Sequence, residues 1–456
     1  MNNSAIITST AAGAAVKCRK KLHQYNQYQS LIPGLPDDIA QICLSLVQEP
    51  LTLYSVCQSW RRLVYSPPFP PFLSIYSLLK PLQYNNISSV ISHVRSGERR
   101  VHADLTPILE DGETVSERSS AQVKNSVEFA NFDPISAKWQ LLPPPPLDPP
   151  LRLLLRHPSF ISRHLPIQSV SVSGNLIILT ATTDHMLPAL SRPLVFNPLT
   201  HKWTYGPPLA TPRRWCAAGA SQGVVYVASG IGSHYNLEVA RTVEKWDLKS
   251  YNSCNQQQHT QYNSTSEVKS NSNHHHQQQQ RNNPTCGVKN KGWKWEKLSG
   301  LKDGKFSREA IEAIGWREKL CMVNVKGDAA KEGIIYDIES DTWQEMPEGM
   351  LVGWRGPTAA MEEEIIYTVD ESKGALRKYD QENDSWIEIL ENEMLKGAQH
   401  MAAAGGKLCV VNGGGDGIVV VNVVAEPPSL VVVETPVGFQ VLDVHILPRM
   451  SQLDEC

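Results

Sequence analysis

The stretch "FDPISAKWQLLPP" (residues 132–144) recurs in the same frame as "FNPLTHKWTYGPP" (196–208), "YDIESDTWQEMPE" (336–348) and "YDQENDSWIEILE" (379–391). Each copy has an aromatic residue followed by Asp or Asn, a polar turn, and a Trp that opens a short apolar–polar run. This frame is typical of a strand, a tight turn and a second strand. Its repetition indicates units that stack on one another.

The spacing of the repeated Trp residues reveals an insert. A fifth Trp of the same type follows "VEKWDLKS", and the spacings are 64, 92, 48 and 43 residues. Residues 251–292 are rich in Asn, Gln, Ser and His, a composition that cannot bury enough apolar surface to fold. We expect a disordered insert within one repeat. Without its 42 residues the spacing of 92 becomes 50, which agrees with the neighbouring spacings. The repeated residues are Trp139, Trp203, Trp295, Trp343 and Trp386.

Two further apolar runs precede each Trp, as in "CAAGASQGVVYVASG" (216–230). Each unit therefore has four strands, with small residues in the first strand and Gly after the second. This pattern resembles the kelch repeat over about residues 72–450, although the double Gly is intact only at Gly413 and Gly414. The resemblance implies a mainly β fold, a kelch-type β-propeller with four-stranded blades.

We favour six blades, and seven stay possible. The sixth blade is predicted to be split: "FLSIYSLL" is its second strand, "VEFANFDP" and "KWQLLPP" its outer strands, and the C-terminal "FQVLDVHILP" its innermost strand. Such a blade closes the ring without an exposed sheet edge. The continuous blades are predicted at 166–208, 214–299, 308–346, 355–391 and 398–436.

A short amphipathic helix stands ahead of the propeller, in "LPDDIAQICLSLV" (35–47). Its apolar residues have helical spacing, and a second such stripe follows in "LTLYSVCQSWRRLV" (51–64). We expect two or three helices between residues 31 and 66. So few residues seldom form a stable core of their own, so these helices need a partner surface. The first stripe consists of Ile39, Ile42, Cys43, Leu46 and Val47.

The Leu-Pro-Asp-Asp start and the Val-Cys-x-x-Trp-Arg-x-Leu end of this module resemble an F-box. With the kelch repeats, they resemble the plant F-box/kelch-repeat proteins of the Skp-interacting-partner type. The resemblance implies a substrate receptor of an SCF (cullin-RING) ubiquitin ligase, with a Skp-type adaptor as partner. Cys43 departs from the larger aliphatic residue usual at its position. The residues expected to make or support the adaptor interface are Leu35, Pro36, Ile39, Leu44, Val56, Cys57 and Trp60.

The predicted domains are a disordered leader (1–30), the F-box (31–70) and the propeller (72–450) containing the insert 251–292. Nine Cys without a C-x-x-C pair indicate reduced thiols, hence a cytoplasmic or nuclear protein. The net charge of −3 and the lack of an apolar run of membrane-spanning length argue against nucleic acid and membrane as partners. The target protein is unknown.

The candidate target-binding face lies where the fourth strand of one blade leads to the first strand of the next. Arg residues recur there in "TPRRWC", "FSREA" and "GWRGP". They are either struts between blades or a ring that binds an acidic or phosphorylated segment. The insert and the F-box linker are expected on the opposite face. The candidates are Arg214, Trp215, Tyr235, Arg308, Trp354, Arg355 and His400.

We expect no catalytic group, metal or cofactor. Some kelch-like propellers are copper oxidases, but the 14 His are scattered or lie in the insert, and no Ser-His-Asp order or phosphate loop occurs. Two alternatives to a ligase receptor stay open. One is a kelch scaffold that recruits no ligase, and the other is a copper enzyme similar to galactose oxidase.

Overall fold

The computed structural model describes most of the chain between residues 30 and 450. These residues divide into two compact units, with the break between Phe72 and Leu73. Residues 1–29 of the predicted leader, the insert 251–292 and Arg308 lie outside the described residues. The described residues are 30–47, 50–64, 66, 69–70, 72–82, 127–147, 151, 167–183, 185–236, 238–248, 293–304, 306, 310–326 and 329–450.

Within its described residues, the N-terminal unit has three short helices: α1 (Asp37–Ser45), α2 (Pro50–Val56) and α3 (Gln58–Val64). Helix α1 begins after Pro36, and Asp37 and Asp38 complement the positive end of its dipole. Helices α2 and α3 pack on each other, separated by Cys57 alone. The second predicted stripe is therefore divided between two helices.

The described part of the second unit contains six four-stranded sheets. Blade 1 has the strand order β24-β1-β2-β3, and blades 2 to 6 comprise β4–β7, β8–β11, β12–β15, β16–β19 and β20–β23. The molecule is thus a six-bladed β-propeller, which confirms the predicted fold class. The strands are β1 (Leu73–Pro81), β2 (Glu128–Asp133), β3 (Lys138–Leu141), β4 (Ile167–Val172), β5 (Asn175–Ala181), β6 (Leu194–Asn197), β7 (Lys202–Tyr205), β8 (Ala217–Ser221), β9 (Val224–Ala228), β10 (Val243–Asp247), β11 (Glu296–Lys297), β12 (Ala310–Trp316), β13 (Lys319–Lys326), β14 (Ala329–Asp337), β15 (Thr342–Glu345), β16 (Thr358–Met361), β17 (Ile365–Asp370), β18 (Ala375–Asp380), β19 (Ser385–Glu391), β20 (His400–Ala404), β21 (Lys407–Val411), β22 (Gly417–Asn422), β23 (Ser429–Glu434) and β24 (Phe439–Pro448).

Blade 1 is the split blade that the sequence predicts. The C-terminal strand β24 is its innermost strand and pairs antiparallel with β1, with Tyr76 opposite His445. Two further contacts fasten the chain end: the Tyr76 hydroxyl donates to the Pro448 carbonyl at 2.8 Å, and Arg449 Nε lies 2.8 Å from Asp133 Oδ1. The first and last parts of the propeller therefore close the ring together.

The repeat signature has a physical explanation in the turn between the third and fourth strands. The Asp or Asn that ends the third strand accepts hydrogen bonds from turn N–H groups, as Asp133 does from Ile135 and Ser136. The aromatic residue before it packs on the Trp of the fourth strand. For Phe196 and Trp203 the ring centroids are 5.1 Å apart, and for Tyr336 and Trp343 they are 5.0 Å apart.

The Trp of the fourth strand also ties each of five blades to the preceding one. Its indole N–H donates to a backbone carbonyl at the end of the fourth strand of that preceding blade or just after it. Blade 6 departs from this rule, because Leu430 occupies the Trp position opposite Val421. The five bonds are Trp139 to Glu434 at 2.8 Å, Trp203 to Pro143 at 2.7 Å, Trp295 to Pro207 at 3.0 Å, Trp343 to Ser299 at 2.9 Å and Trp386 to Gly349 at 3.1 Å.

The core of the propeller lies between adjacent blades. One cluster joins Tyr76 and Phe129 of blade 1 to Ile178 and Phe196 of blade 2, and similar clusters fill the other interfaces. Small residues in the innermost strands let these strands approach closely. A Cβ at Gly315, for example, would meet the Ala220 carbonyl oxygen at 2.0 Å.

Two faces of the propeller follow from the strand order. The lower face carries the connections from the first to the second strand and from the third to the fourth strand of each blade. The upper face carries the connections from the second to the third strand and from the fourth strand to the next blade. The end of β10 at Asp247, the start of β11 at Glu296 and the start of β1 at Leu73 all belong to the lower face. A short helix that was not predicted, α4 (Glu348–Gly353), leads from blade 4 to blade 5.

Candidate functional site

Helix α1 presents an exposed row of apolar side chains, which we call the α1 stripe (Ile39, Ile42, Cys43 and Leu46). Ile39 is 43% exposed, Ile42 60% and Leu46 76%, and Cys43 is exposed as well. The other face of the helix buries Ala40 and Leu44. Since apolar side chains in water are unfavourable, a contiguous row of them is typical of a surface that binds a partner.

The remaining adaptor candidates divide into contact and support positions. Leu35 and Val56 are 39% and 55% exposed, and Pro36 is exposed as well. Leu44 is only 3% exposed, so it can support the interface but cannot contact a partner. Cys57 is half-buried.

Trp60 has a structural role in the same unit. Its indole N–H donates to the Leu31 carbonyl at 2.6 Å, while the Leu31 N–H donates to Asp37 Oδ1 at 3.0 Å. The two parts of the sequence that carry the F-box resemblance are thus joined through one residue of the preceding segment. Ile42 and Leu46 were placed in the amphipathic stripe but omitted from the predicted contact set. Ile42 and Leu46 are more exposed than any Leu, Ile or Val of that predicted set, so they are well placed to contact a partner.

On the propeller, one member of the predicted ring of Arg side chains, Arg214, is not presented to a ligand. Arg214 is fully buried: its backbone pairs with Ile231, its Nη1 donates to the Gly232 carbonyl at 2.8 Å, and its guanidinium lies 4.7 Å from the Trp215 ring centroid. Trp215 itself is 4% exposed. Arg214 and Trp215 therefore do not present their side chains to a partner in this structure, because both are buried within blade 3.

The other upper-face candidates have mixed environments. Trp354 is 1% exposed and donates to Glu312 Oε2 at 3.0 Å, so its side chain is buried beside blade 4. Arg355 is exposed, and its Nε donates to the Val352 carbonyl at 3.3 Å. His400 is half-buried and faces the centre of the ring. The backbone of Tyr235 lies in a 3₁₀ turn, Ser233–Tyr235, and its side chain lies outside what the structure describes.

The central channel is a cavity of about 380 Å³ lined by the innermost strands of all six blades. Among the described residues that line it there are four carboxylates and two His, and none is Lys or Arg. The lining therefore carries negative charge. The carboxylates belong to Glu312, Glu362, Glu363 and Asp443.

Asp443 is the centre of a polar cluster in this channel. Ser169 Oγ donates to Asp443 Oδ2 at 2.7 Å, His445 Nε2 lies 3.3 Å from the same oxygen, and His400 Nδ1 lies 3.6 Å from Oδ1. Burial acts to raise the pKa of Asp443, but His445, His400 and Ser169 outweigh it and hold this pKa well below its ordinary value. The carboxyl group is therefore ionised at neutral pH.

At its lower end the channel is lined by the turn that holds Glu362 and Glu363. Glu363 accepts hydrogen bonds from Ser221 Oγ at 2.8 Å and the Gln222 N–H at 2.9 Å, both in blade 3. Glu362 accepts one from the Gly405 N–H of blade 6 at 2.7 Å. A turn of blade 5 thus forms hydrogen bonds with two other blades, which links the lower ends of their inner strands.

Comparison with known proteins identifies the family. The chain is 45% identical over 455 residues, 99% of its length and 98% of the relative's, to the F-box/kelch-repeat protein SKIP25 of Arabidopsis thaliana. The chain is an F-box/kelch-repeat protein. It is also 24% identical over 342 residues to the F-box protein AFR of the same plant, covering 74% of this chain and 68% of that one. No family model matches.

The polar cluster of this F-box/kelch-repeat protein lacks the geometry of a nucleophilic triad. Ser169 Oγ and Asp443 Oδ2 both approach the same His445 nitrogen, Nε2, at 2.9 and 3.3 Å. In a triad the two partners lie at different imidazole nitrogens, so that one proton can be relayed. Over the described residues there is also no group of three or more His, Cys, Asp or Glu side chains placed to hold a metal ion.

The described Cys residues of the F-box/kelch-repeat protein are all free thiols. Burial raises the pKa of Cys321 and of Cys409 to about 12, so both stay protonated and unreactive in the core. Burial likewise raises the pKa of Cys216. In the part of the chain that the structure covers, no helix has the length and apolar character needed to cross a membrane.

Proposed function

We propose that this protein is the substrate-recognition subunit of an SCF (cullin-RING) ubiquitin ligase. In this proposal the helical unit binds the Skp-type adaptor through the α1 stripe with Leu35, Pro36 and Val56. Leu44, Cys57 and Trp60 support that surface. The propeller binds the target protein, which is ubiquitinated and then degraded by the proteasome. The observation that carries the proposal is the exposure of the α1 stripe in a member of the F-box/kelch-repeat family.

The energetics favour a partner on the α1 stripe. Burying one Ile or Leu side chain contributes about 1.5–3 kcal/mol, so Ile39, Ile42 and Leu46 leave a substantial free energy unused in the free chain. In this proposal a helical adaptor covers the row by laying its own apolar residues along α1. The flanking Leu35 and Val56 would extend the contact beyond one helix.

The proposed mechanism is positional and needs no catalytic group on this chain. The adaptor links the chain to the cullin and RING subunits, and the propeller holds the target near the ubiquitin-conjugating enzyme. Tethering raises the effective concentration of target lysines at the reacting thioester. We propose that this occurs in the cytoplasm or nucleus, where the enzymes of ubiquitination operate.

The test is co-precipitation of the full chain with a Skp-type adaptor. The variant Leu35→Ala with Pro36→Ala should lose the adaptor, while Leu199→Ala, an exposed Leu on a propeller turn, should retain it. Circular dichroism should show that both variants keep the melting temperature of the parent. Adaptor capture by neither parent nor variants would favour the alternative, a kelch scaffold that recruits no ligase.

A further inference from the structure

The outermost strand of blade 6, β23, differs from the outermost strands of the other blades. Four of its six residues, Leu430 to Val433, form an unbroken aliphatic run, whereas the other described outer strands have at most two consecutive apolar residues. Val431 and Val432 are 62% and 45% exposed. Native proteins usually protect a sheet edge with charged residues or a covering segment, because an open edge pairs with other chains. The apolar edge of β23 is therefore suited to a partner strand.

The hydrogen bonds around β23 show which of its backbone groups point outward. Just past the strand, the Thr435 N–H donates to the Asp416 carbonyl at 3.2 Å, so these two residues form a hydrogen-bonded pair at the end of the β22–β23 ladder. Bonded and non-bonded positions alternate along an antiparallel pair. Leu430, Val432 and Glu434 therefore direct their N–H and C=O groups away from β22.

One carbonyl of this outward edge is already occupied. The Trp139 indole of blade 1 donates to the Glu434 C=O at 2.8 Å, which agrees with the outward direction of that group. Over the part of the chain that the structure describes, no other hydrogen bond reaches the outward groups of Leu430, Val432 or Glu434. A partner strand must therefore supply donors and acceptors at Leu430 and Val432, but it needs no donor at the Glu434 carbonyl.

The β23 sequence meets this requirement when it pairs with a second copy of itself. With Val431 on the two-fold axis, Leu430 of each copy lies opposite Val432 of the other, and each such pair exchanges two hydrogen bonds. Glu434 then lies opposite Pro428, which has no N–H to donate but whose carbonyl accepts from the Glu434 N–H. The occupied carbonyl thus meets the residue that lacks a donor. The opposed aliphatic side chains form favourable cross-strand pairs.

We propose that the chain forms a two-fold homodimer in which the β23 strands of two copies pair antiparallel about Val431. The pairing joins the two four-stranded blades into one eight-stranded sheet. The match between the Glu434 carbonyl and Pro428 favours this occupant of the edge over an extended segment of another protein. A dimer holds two propellers together, so a target with two recognition segments binds more tightly through the raised effective concentration of the second propeller.

The first experiment is sedimentation velocity of the full chain at increasing concentration. Because strand pairing buries a small area, we expect a dissociation constant of about 10–100 µM. Val431→Lys places two like charges directly opposite each other on the axis and should weaken the dimer at least about tenfold. The matched control is Val352→Lys on α4, the same change at a Val that is 58% exposed, and it should leave the dimer unchanged. Both variants should keep the melting temperature of the parent.

A second experiment tests the register by disulfide formation. In the proposed pairing the two copies of Val431 face each other at a non-hydrogen-bonded position, where the Cα atoms are about 4.5 Å apart and within disulfide range. Oxidised Val431→Cys should therefore run as a covalent dimer on a non-reducing gel. Val432→Cys is the control, because Val432 faces Leu430 and the two new thiols do not meet. The parent chain gives the background from its own thiols, such as the exposed Cys43.

The results that overturn the inference are defined for both experiments. A chain that is monomeric at about 500 µM contradicts the dimer, whether the edge is unused or serves a segment of another protein. A dimer that Val431→Lys leaves intact, or equal cross-linking of the two Cys variants, contradicts the β23 pairing. The inference is independent of the ligase proposal, because sedimentation of the pure chain needs no adaptor and adaptor co-precipitation needs no dimer.

Discussion

The two units of the molecule treat their apolar side chains in opposite ways. In the helical unit, Leu46 and Ile42 are 76% and 60% exposed on a single helix face. In the propeller, the signature Trp residues pack on an aromatic neighbour and donate to the preceding blade, as Trp203 does with Phe196 and Pro143. A closed ring buries its own apolar surface, whereas three short helices cannot. The exposed row therefore indicates a surface for a binding partner, while the half-buried, hydrogen-bonded Trp residues stabilise the propeller.

The largest expected effect follows from breaking the exposed row. Ile42→Glu with Leu46→Glu should weaken adaptor binding by at least about 100-fold, because each interface anchor typically contributes about 2 kcal/mol. The melting temperature of the propeller should not change. Isothermal titration calorimetry with purified adaptor measures the affinity, with Leu199→Glu as the matched control. Unchanged affinity of the double variant would show that the exposed row of the helical unit does not bind the adaptor.

The next largest effect concerns closure of the ring. Arg449→Met leaves Asp133 as a buried, uncompensated charge, since the two side chains are 8% and 9% exposed. We expect a loss of about 3 kcal/mol in the free energy of unfolding, measured by urea denaturation. Arg449→Lys should lose less. A destabilisation below about 0.5 kcal/mol for Arg449→Met would show that the ion pair does not hold blade 1 together.

The pH dependence of that effect has a defined sign. Burial acts to raise the pKa of Asp133, but the Ser136 hydroxyl and the Arg449 guanidinium outweigh it and hold this pKa below its ordinary value. A carboxyl group with a lowered pKa in the folded state stabilises above its unfolded pKa of about 4, and this stability is lost as the pH falls. The difference between parent and Arg449→Met should narrow from pH 6 to pH 3. A constant difference would contradict the assignment.

A smaller effect is expected at the Trp contacts between blades. Trp203→Phe keeps an aromatic ring beside Phe196 but removes the hydrogen bond to the Pro143 carbonyl. The free energy of unfolding should fall by about 1 kcal/mol, with adaptor binding unchanged. In blade 6 the natural Leu430 has no such N–H, so Leu430→Phe there provides the matched control, with no hydrogen bond to lose. Loss of adaptor binding in Trp203→Phe would contradict the assignment of this Trp to propeller stability alone.

The smallest effect is expected at exposed apolar residues of the propeller itself. Val431 and Val432 on the outer strand β23 are 62% and 45% exposed. Their replacement by Thr, in Val431→Thr with Val432→Thr, should change stability by no more than about 0.5 kcal/mol and leave adaptor binding unchanged. Thermal denaturation and the adaptor titration measure the two quantities. A marked loss of adaptor binding would mean that exposure alone does not distinguish the helical row.

The sequence was sufficient for most of the fold because the decisive signals are local and repeated. The Asp or Asn cap, the following turn and the Trp all lie within about ten residues, and register follows from them. The split blade was predictable because a ring cannot leave a sheet edge open. Helix α4 was not predicted, because it has only six residues and Asp384, distant in sequence, accepts hydrogen bonds from its Gly349 and Met350 N–H groups at 2.8 and 2.9 Å.

The binding surfaces were less predictable than the fold. Strand register places the Cα of Arg214 and Trp354 at the upper face but does not say which way each side chain points. Arg214 turns inward because its backbone pairs with Ile231, and Trp354 because Glu312 of the neighbouring blade accepts its N–H. The acidic channel was missed for a related reason. Its carboxylates come from three segments far apart in sequence, and only ring closure brings them to one cavity.

The most direct test of the account is hydrogen–deuterium exchange of the full chain with and without the Skp-type adaptor. The adaptor should slow exchange in residues 35–56, which include α1 and α2, because a covered helix opens less often. The six blades should exchange as in the free chain. Protection that is absent from these helices, or that falls on the blades, would contradict the claim that the exposed helical row is the adaptor-binding surface.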